Sequence, residues 1–138
     1  MYVSLTLSNA AFAQTITPAG LWNTLDDSSG KPEGLIRIDE IAGEFRGTVV
    51  GLFSTETPNP VCELCEGPLK NRPIIGMTIL RGLRRDGEIY GGGTILDHDE
   101  GRTYRCTATL LEGGRKLEVR AYIGLPLLGR TQVWVRGK

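Results

Sequence analysis

Between Arg102 and Gly124 the chain runs RTYRCTATLL, then EGGR, then KLEVRAYIG, and apolar and polar residues alternate through both long stretches. Tyr104, Cys106, Ala108 and Leu110 fall on one side of the first, with Arg105, Thr107 and Thr109 on the other. In the second, Leu117, Val119, Ala121 and Ile123 alternate with Lys116, Glu118, Arg120 and Tyr122. Only an extended strand places residues i and i+2 on one face, so this period of two commits the segment to a sheet with one buried side. Shorter runs of the same kind occupy residues 20–26, 35–39, 44–52, 74–83, 88–96 and 130–136, which makes eight strands in all. Turn signals such as DSSG, Asp86-Gly87 and DHDEG separate them.

The spacing has a topological consequence. Nineteen glycines and seven prolines are too many for a helical bundle, and only residues 68–72 look able to form a helical turn. Eight sequential strands joined mostly by short hairpins most economically close into an antiparallel up-and-down barrel, which leaves no open edge. A flat sandwich is the alternative. The one long connection, from Phe53 to Pro73, holds four of the prolines and two close cysteines. Gly91-Gly92-Gly93 lies inside a strand and predicts a bulge or sharp bend. A phosphate loop would require a helix after the glycines, and none is expected.

With 138 residues the chain is sized for one domain and one core. Its 16 basic and 16 acidic residues cancel, whereas a nucleic-acid partner would call for a basic surplus. No stretch approaches the roughly 18–20 apolar residues of a transmembrane helix. Ala11-Phe12-Ala13 before Gln14 has the small-x-small form of a signal-peptidase site, following the apolar stretch from Tyr2 to Leu7. No positive charge precedes that stretch, which a start codon assigned too late would explain. Residues 1–13 are therefore read as a signal-peptide remnant and 14–138 as a single barrel domain. The expected location is the periplasm or the cell exterior, where disulfides persist.

Cys62 and Cys65, in PVCELCEG, are the first chemical candidates. A redox dithiol belongs at a helix N-terminus, which lowers the thiol pKa, but this pair sits in a proline-rich loop between Glu63 and Glu66. A zinc site needs four ligands, and only Cys106 and His98 remain to complete one. A structural disulfide is favoured, either Cys62–Cys65 or a longer link to Cys106. The alternation around Cys106 argues for a buried free thiol and hence for the short link. The Asp26 and Asp97 turns lack the ligand pattern of a calcium loop and read as hairpins whose aspartates bond nearby amides. No serine–histidine–acid set is recognisable, so no catalytic residue, metal site or cofactor is assigned. Asp26, Asp27, Asp97 and Asp99 can nevertheless meet at one rim.

Gly20-Leu21-Trp22 at the head of the first strand resembles the GxW signature of lipocalins and the wider calycin barrels. In that pattern a late arginine packs across the tryptophan, a role open here to Arg130 or Arg136. Over nearly the whole mature chain, the blocks GLWNTLDDSSGK, CELCEGPLKNRPIIGMTIL, GGTILDHDEGRTY and LEVRAYIGLPLLGRTQVWVR resemble the bacterial family called domain of unknown function 2147. The resemblance implies an exported, calycin-like barrel and carries no established reaction. His98 stands where relatives resemble an Asp-Pro pair, which argues against a required catalytic histidine. The expectation is a non-enzymatic barrel holding a small apolar or amphipathic ligand, since barrels of this size can enclose one small molecule. Trp22, Asp26, Arg130, Gln132 and Trp134 are the candidates for its lining or mouth. The alternatives are a filled barrel that meets a cell-envelope protein through the Phe53 to Pro73 loop, or an enzyme using rim carboxylates or the dithiol.

Overall fold

Each alternating run forms a strand in the computed structural model, which describes residues 16–53 and 57–137. The signal-peptide expectation for residues 1–13 lies outside the described residues. The strands are β1 (Gly20–Leu25), β2 (Pro32–Ile41), β3 (Glu44–Leu52), β4 (Thr78–Asp86), β5 (Ile89–Asp97), β6 (Arg102–Leu111), β7 (Lys116–Tyr122) and β8 (Arg130–Arg136). Each pairs antiparallel with the next, and β8 returns to β1 through Trp22↔Arg136 and Asn23↔Val135. The sheet is thus a closed barrel and not a sandwich. No helix among the described residues is long and apolar enough to cross a membrane.

One strand boundary differs from its sequence pattern for a local reason. Apolar residues from Ile74 onward suggest an early start to β4, but Gly76 takes φ +95° and the Met77 amide turns back to the Ile74 carbonyl at 3.0 Å. The chain is still in a turn there, and pairing begins only at Thr78.

The glycine triplet bends the sheet. On β5 the register steps from Tyr90↔Ala108 to Gly93↔Cys106, so one strand carries an extra residue, with Gly92 at φ +70°. That is a β-bulge, and it turns both Tyr90 and Gly93 inward. An equivalent offset in β4 separates the Phe45↔Leu83 and Gly47↔Leu80 pairs, so Leu80 and Leu83 both face the interior with no exposed surface. Phe45 meets Tyr90 edge-on inside the barrel, with centroids 5.2 Å apart and planes at 83°. Small curved barrels need such bends to aim their core residues at one axis.

The long β3–β4 connection is tied to itself and to the barrel. Val61 bridges to Pro73, Gly67–Leu69 makes a single 3-10 turn, and a disulfide joins Cys62 to Cys65. Both half-cystines are buried, and Cys62 Sγ lies 3.4 Å from the His98 carbonyl oxygen in the β5–β6 turn. Contact is so close that a Cβ at Gly101 would overlap the Leu64 backbone. Cys106 is free and buried within β6, and desolvation pushes its thiol up to about 12.

Candidate functional site: one closed end and one open end

Up-and-down connectivity places three of the seven connections at one end of the barrel and four at the other, and the two ends are built differently. At the first, the inward-facing Trp22 of β1 is fully buried, and its indole nitrogen donates to the Pro18 carbonyl at 2.7 Å. Arg136 of β8 lies over its ring at 4.2 Å from the centroid. The Arg136 guanidinium donates to the carbonyls of Gly114 (2.8 Å), Ala19 (2.8 Å) and Thr17 (3.0 Å). One planar cation thereby joins the N-terminal segment, the β6–β7 turn and β8 over an aromatic plug. Of the two arginines suggested by sequence, Arg136 takes this place and Arg130 does not.

Arg130 lies at the opposite end. There the inward residues are smaller or shorter, and a cavity of about 390 Å³ opens between the strands. Its apolar wall includes Ile36, Val49, Leu52, Ile95, Val119 and the buried Trp134. The Trp134 indole nitrogen is 3.4 Å from Gln132 Oε1, so these two residues of β8 line the space together. Above them the walls become polar. Asp26, Asp27, Glu33, Asp97, Asp99 and Glu100 all border the mouth, as do His98, Tyr104 and Arg130.

Local hydrogen bonds hold several of these side chains. Asp26 Oδ1 accepts from the Ser28 amide (3.0 Å), the Ser28 hydroxyl (2.7 Å) and the Ser29 amide (2.8 Å), closing the β1–β2 turn. Chiefly the Ser28 hydroxyl, then the Ser29 amide, brings its carboxyl down to about 2. Asp97 Oδ1 accepts the Asp99 and Glu100 amides at 2.9 and 3.2 Å, while its other oxygen meets Arg130 at 3.4 Å. The Tyr104 hydroxyl donates to Glu100, and that bond raises the phenol pKa. Glu33 and Asp27 make no side-chain hydrogen bond or ion pair among the described residues. Desolvation first, then the nearby charges of Asp99 and Asp26, raise the Glu33 carboxyl.

The structure therefore brings Asp26, Arg130, Gln132 and Trp134 to one cavity and leaves Trp22 at the closed end. Sequence reasoning did not single out Glu33, Tyr104 or the apolar walls Ile36, Val49 and Val119. Their signal was present in strand parity. Once GxW marks one end as closed, inward positions at the far ends of the strands become the natural lining. Among the described residues, no three histidine, cysteine or acidic side chains group closely enough to hold a metal ion.

Comparison with known proteins agrees with this architecture. A structure from the human pathogen Helicobacter pylori, of a protein described as belonging to the lipocalin family, superposes with a TM-score of 0.77. That match covers 90% of this chain and 85% of the other at 23% sequence identity, so the likeness is one of fold. No curated protein matches the sequence significantly. A family model described as an uncharacterized protein conserved in bacteria matches residues 20–136, which span the barrel from the first strand to the last. The chain belongs to that bacterial family, domain of unknown function 2147, and has its lipocalin-like barrel.

Proposed function

We propose that this protein is an exported, non-enzymatic carrier or sensor that binds one small apolar or amphipathic molecule in the open-end cavity. The carrying observation is the 390 Å³ space floored by Trp134 and walled by Ile36, Val49 and Val119. A cavity of this size with an apolar floor and polar groups at its mouth suits a small ligand, and burying the ligand's apolar part against that floor would be driven by the hydrophobic effect. Asp26, Arg130, Gln132 and Trp134 are the contact residues on this reading. Export is supported by the Cys62–Cys65 disulfide and by the signal-peptidase-like Ala11-Phe12-Ala13. A periplasmic or extracellular barrel follows, with Gln14 as its first mature residue.

Native mass spectrometry of the unreduced protein, recovered from the envelope of its own host, tests both parts. A mass beginning at Gln14 with a discrete adduct released on denaturation is the expected result. A full-length mass with three free thiols would overturn export, and an adduct-free mass that stays so after incubation with neutral apolar probes would overturn binding.

One observation favours a second reading. Phe53, Val61 and Leu64 stand exposed on or beside the long loop, and Leu64 reaches 63% exposure. These residues suit contact with a cell-envelope protein. Replacing Leu64 with serine would then abolish that contact while leaving cavity binding intact.

A further inference from the structure

The charge around the cavity is far from the balance of the whole chain. Sixteen acidic and sixteen basic residues cancel overall, yet six of those acids and only one lysine or arginine, Arg130, border the cavity. Arg130 is itself engaged by Asp97 at 3.4 Å. Acidic side chains alone would make an ordinary solvated rim. Here they border the mouth of a cavity whose inner wall includes Ile36, Val49, Val119 and Trp134, so whatever enters that space must pass them.

Two further features show that the rim is not internally satisfied. Glu33 and Asp27 have no side-chain partner among the described residues. His98 Nδ1 is enclosed and without a hydrogen-bond partner, although Asp99 Oδ1 is 3.3 Å away. The acidic groups also do not converge into a metal site. They provide a spread negative field at the mouth, an arrangement that suits an organic cation better than a chelated ion.

We infer that the ligand is a small amphipathic organic cation, with its apolar body against Trp134 and its ammonium group among Glu33, Asp27 and Asp99. The inference rests on the cavity being the binding site. A space of 390 Å³ holds about a dozen groups of water size, at ~30 Å³ each. That matches a chain of octyl length with a compact head. A carboxylate ligand, such as a short fatty acid, would place its charge among like charges with Arg130 already occupied.

The test compares three probes that share one apolar body: octyltrimethylammonium, octanol and octanoate. Each is titrated into the full disulfide-bonded chain at low salt and below its micellar range, with calorimetry and competition against a neutral fluorescent naphthylamine. The cation is expected to bind at least tenfold more tightly than octanol, and octanoate more weakly than octanol. The preference should shrink several-fold as salt rises to physiological strength and beyond, because the mouth is open to solvent. Glu33→Gln combined with Asp27→Asn should remove most of the cation's advantage and leave octanol unchanged. Equal binding of cation and alcohol, or tightest binding of octanoate, would overturn the cationic ligand while preserving the cavity as a site. Failure of all three probes to bind or compete would overturn the binding reading itself.

Discussion

The two ends of the barrel are made from the same eight strands and differ in what their inward residues are asked to do. At the closed end, large side chains meet: Trp22 under Arg136, Phe45 against Tyr90, Leu80 and Leu83 with no exposed surface. At the open end, Val49, Ala121, Val119 and Gly34 leave about 390 Å³ unfilled. The closed end is filled by close packing, whereas the open end keeps a space, with Glu33 and Asp27 at its mouth lacking side-chain partners among the described residues. On the proposed function, the closed end serves stability and the open end serves binding, because close packing and an empty site cannot occupy the same volume.

That assignment is open to direct attack, and the largest effect is expected at the closed end. Arg136→Leu removes three charge-assisted hydrogen bonds and the contact over Trp22. Urea unfolding should show a loss of about 3 kcal/mol or more, with probe affinity per folded molecule unchanged. Lysine at the same position should recover only part of the loss, since one ammonium cannot reproduce the fork to three carbonyls. Wild-type stability in the leucine variant would break the comparison.

A smaller effect is expected from the staple of the long loop. Cys62→Ala with Cys65→Ala removes a link of sequence separation 3, whose short ring is worth ~2 kcal/mol in loop-closure entropy. Because the Leu64 backbone and Cys62 lie against the His98–Gly101 turn at the cavity mouth, probe release should also quicken. An unchanged off-rate would separate the staple from the open end.

Filling the cavity should reverse the pattern seen with Arg136. Ala121→Phe projects a ring into the open-end space lined by Ala121 and Trp134. Probe affinity should fall more than tenfold while stability stays within about 1 kcal/mol of wild type. Full-strength binding in that variant would move the site elsewhere.

The smallest effect concerns a single rim charge. Glu33 has a carboxyl pKa raised above its ordinary value of 4.5, first by desolvation and then by Asp99 and Asp26. The folded state therefore holds that proton more tightly than the unfolded state. On this group's account, stability rises as pH falls through the range just above 4.5 and is lost again as pH increases. Glu33→Gln should remove that increment and slightly raise the melting temperature at pH 7. Asp26 acts in the opposite sense: its turn is held above the ordinary carboxylate range and loosens as pH falls from about 4 toward 2. A melting temperature for Glu33→Gln below wild type would show that the open end is not strained by its own charge.

Much of the barrel is legible in the sequence. Alternation along β6 and β7 identified both strands with their buried faces, and the GxW motif together with a late arginine anticipated the Trp22–Arg136 contact. The boundary of β4 was not legible, because Ile74 and Ile75 look like strand residues until Gly76 turns the chain. The candidate site was half legible. Asp26, Gln132 and Trp134 follow from parity and motif, but Glu33 carries no local pattern that distinguishes it from any exposed acid on a strand.

By itself the sequence determined the strands, their order, the disulfide partners it favoured and the overall charge balance, since each depends on neighbours along the chain. Tertiary structure alone decided which arginine caps the tryptophan, which end stays hollow and which six acids share one mouth. Those outcomes depend on barrel closure and on the bulges at Gly82 and Gly92. Closure brings β8 beside β1, and the bulges turn Leu80, Leu83 and Tyr90 inward to fill one end, leaving the empty volume and its unpaired charge at the other.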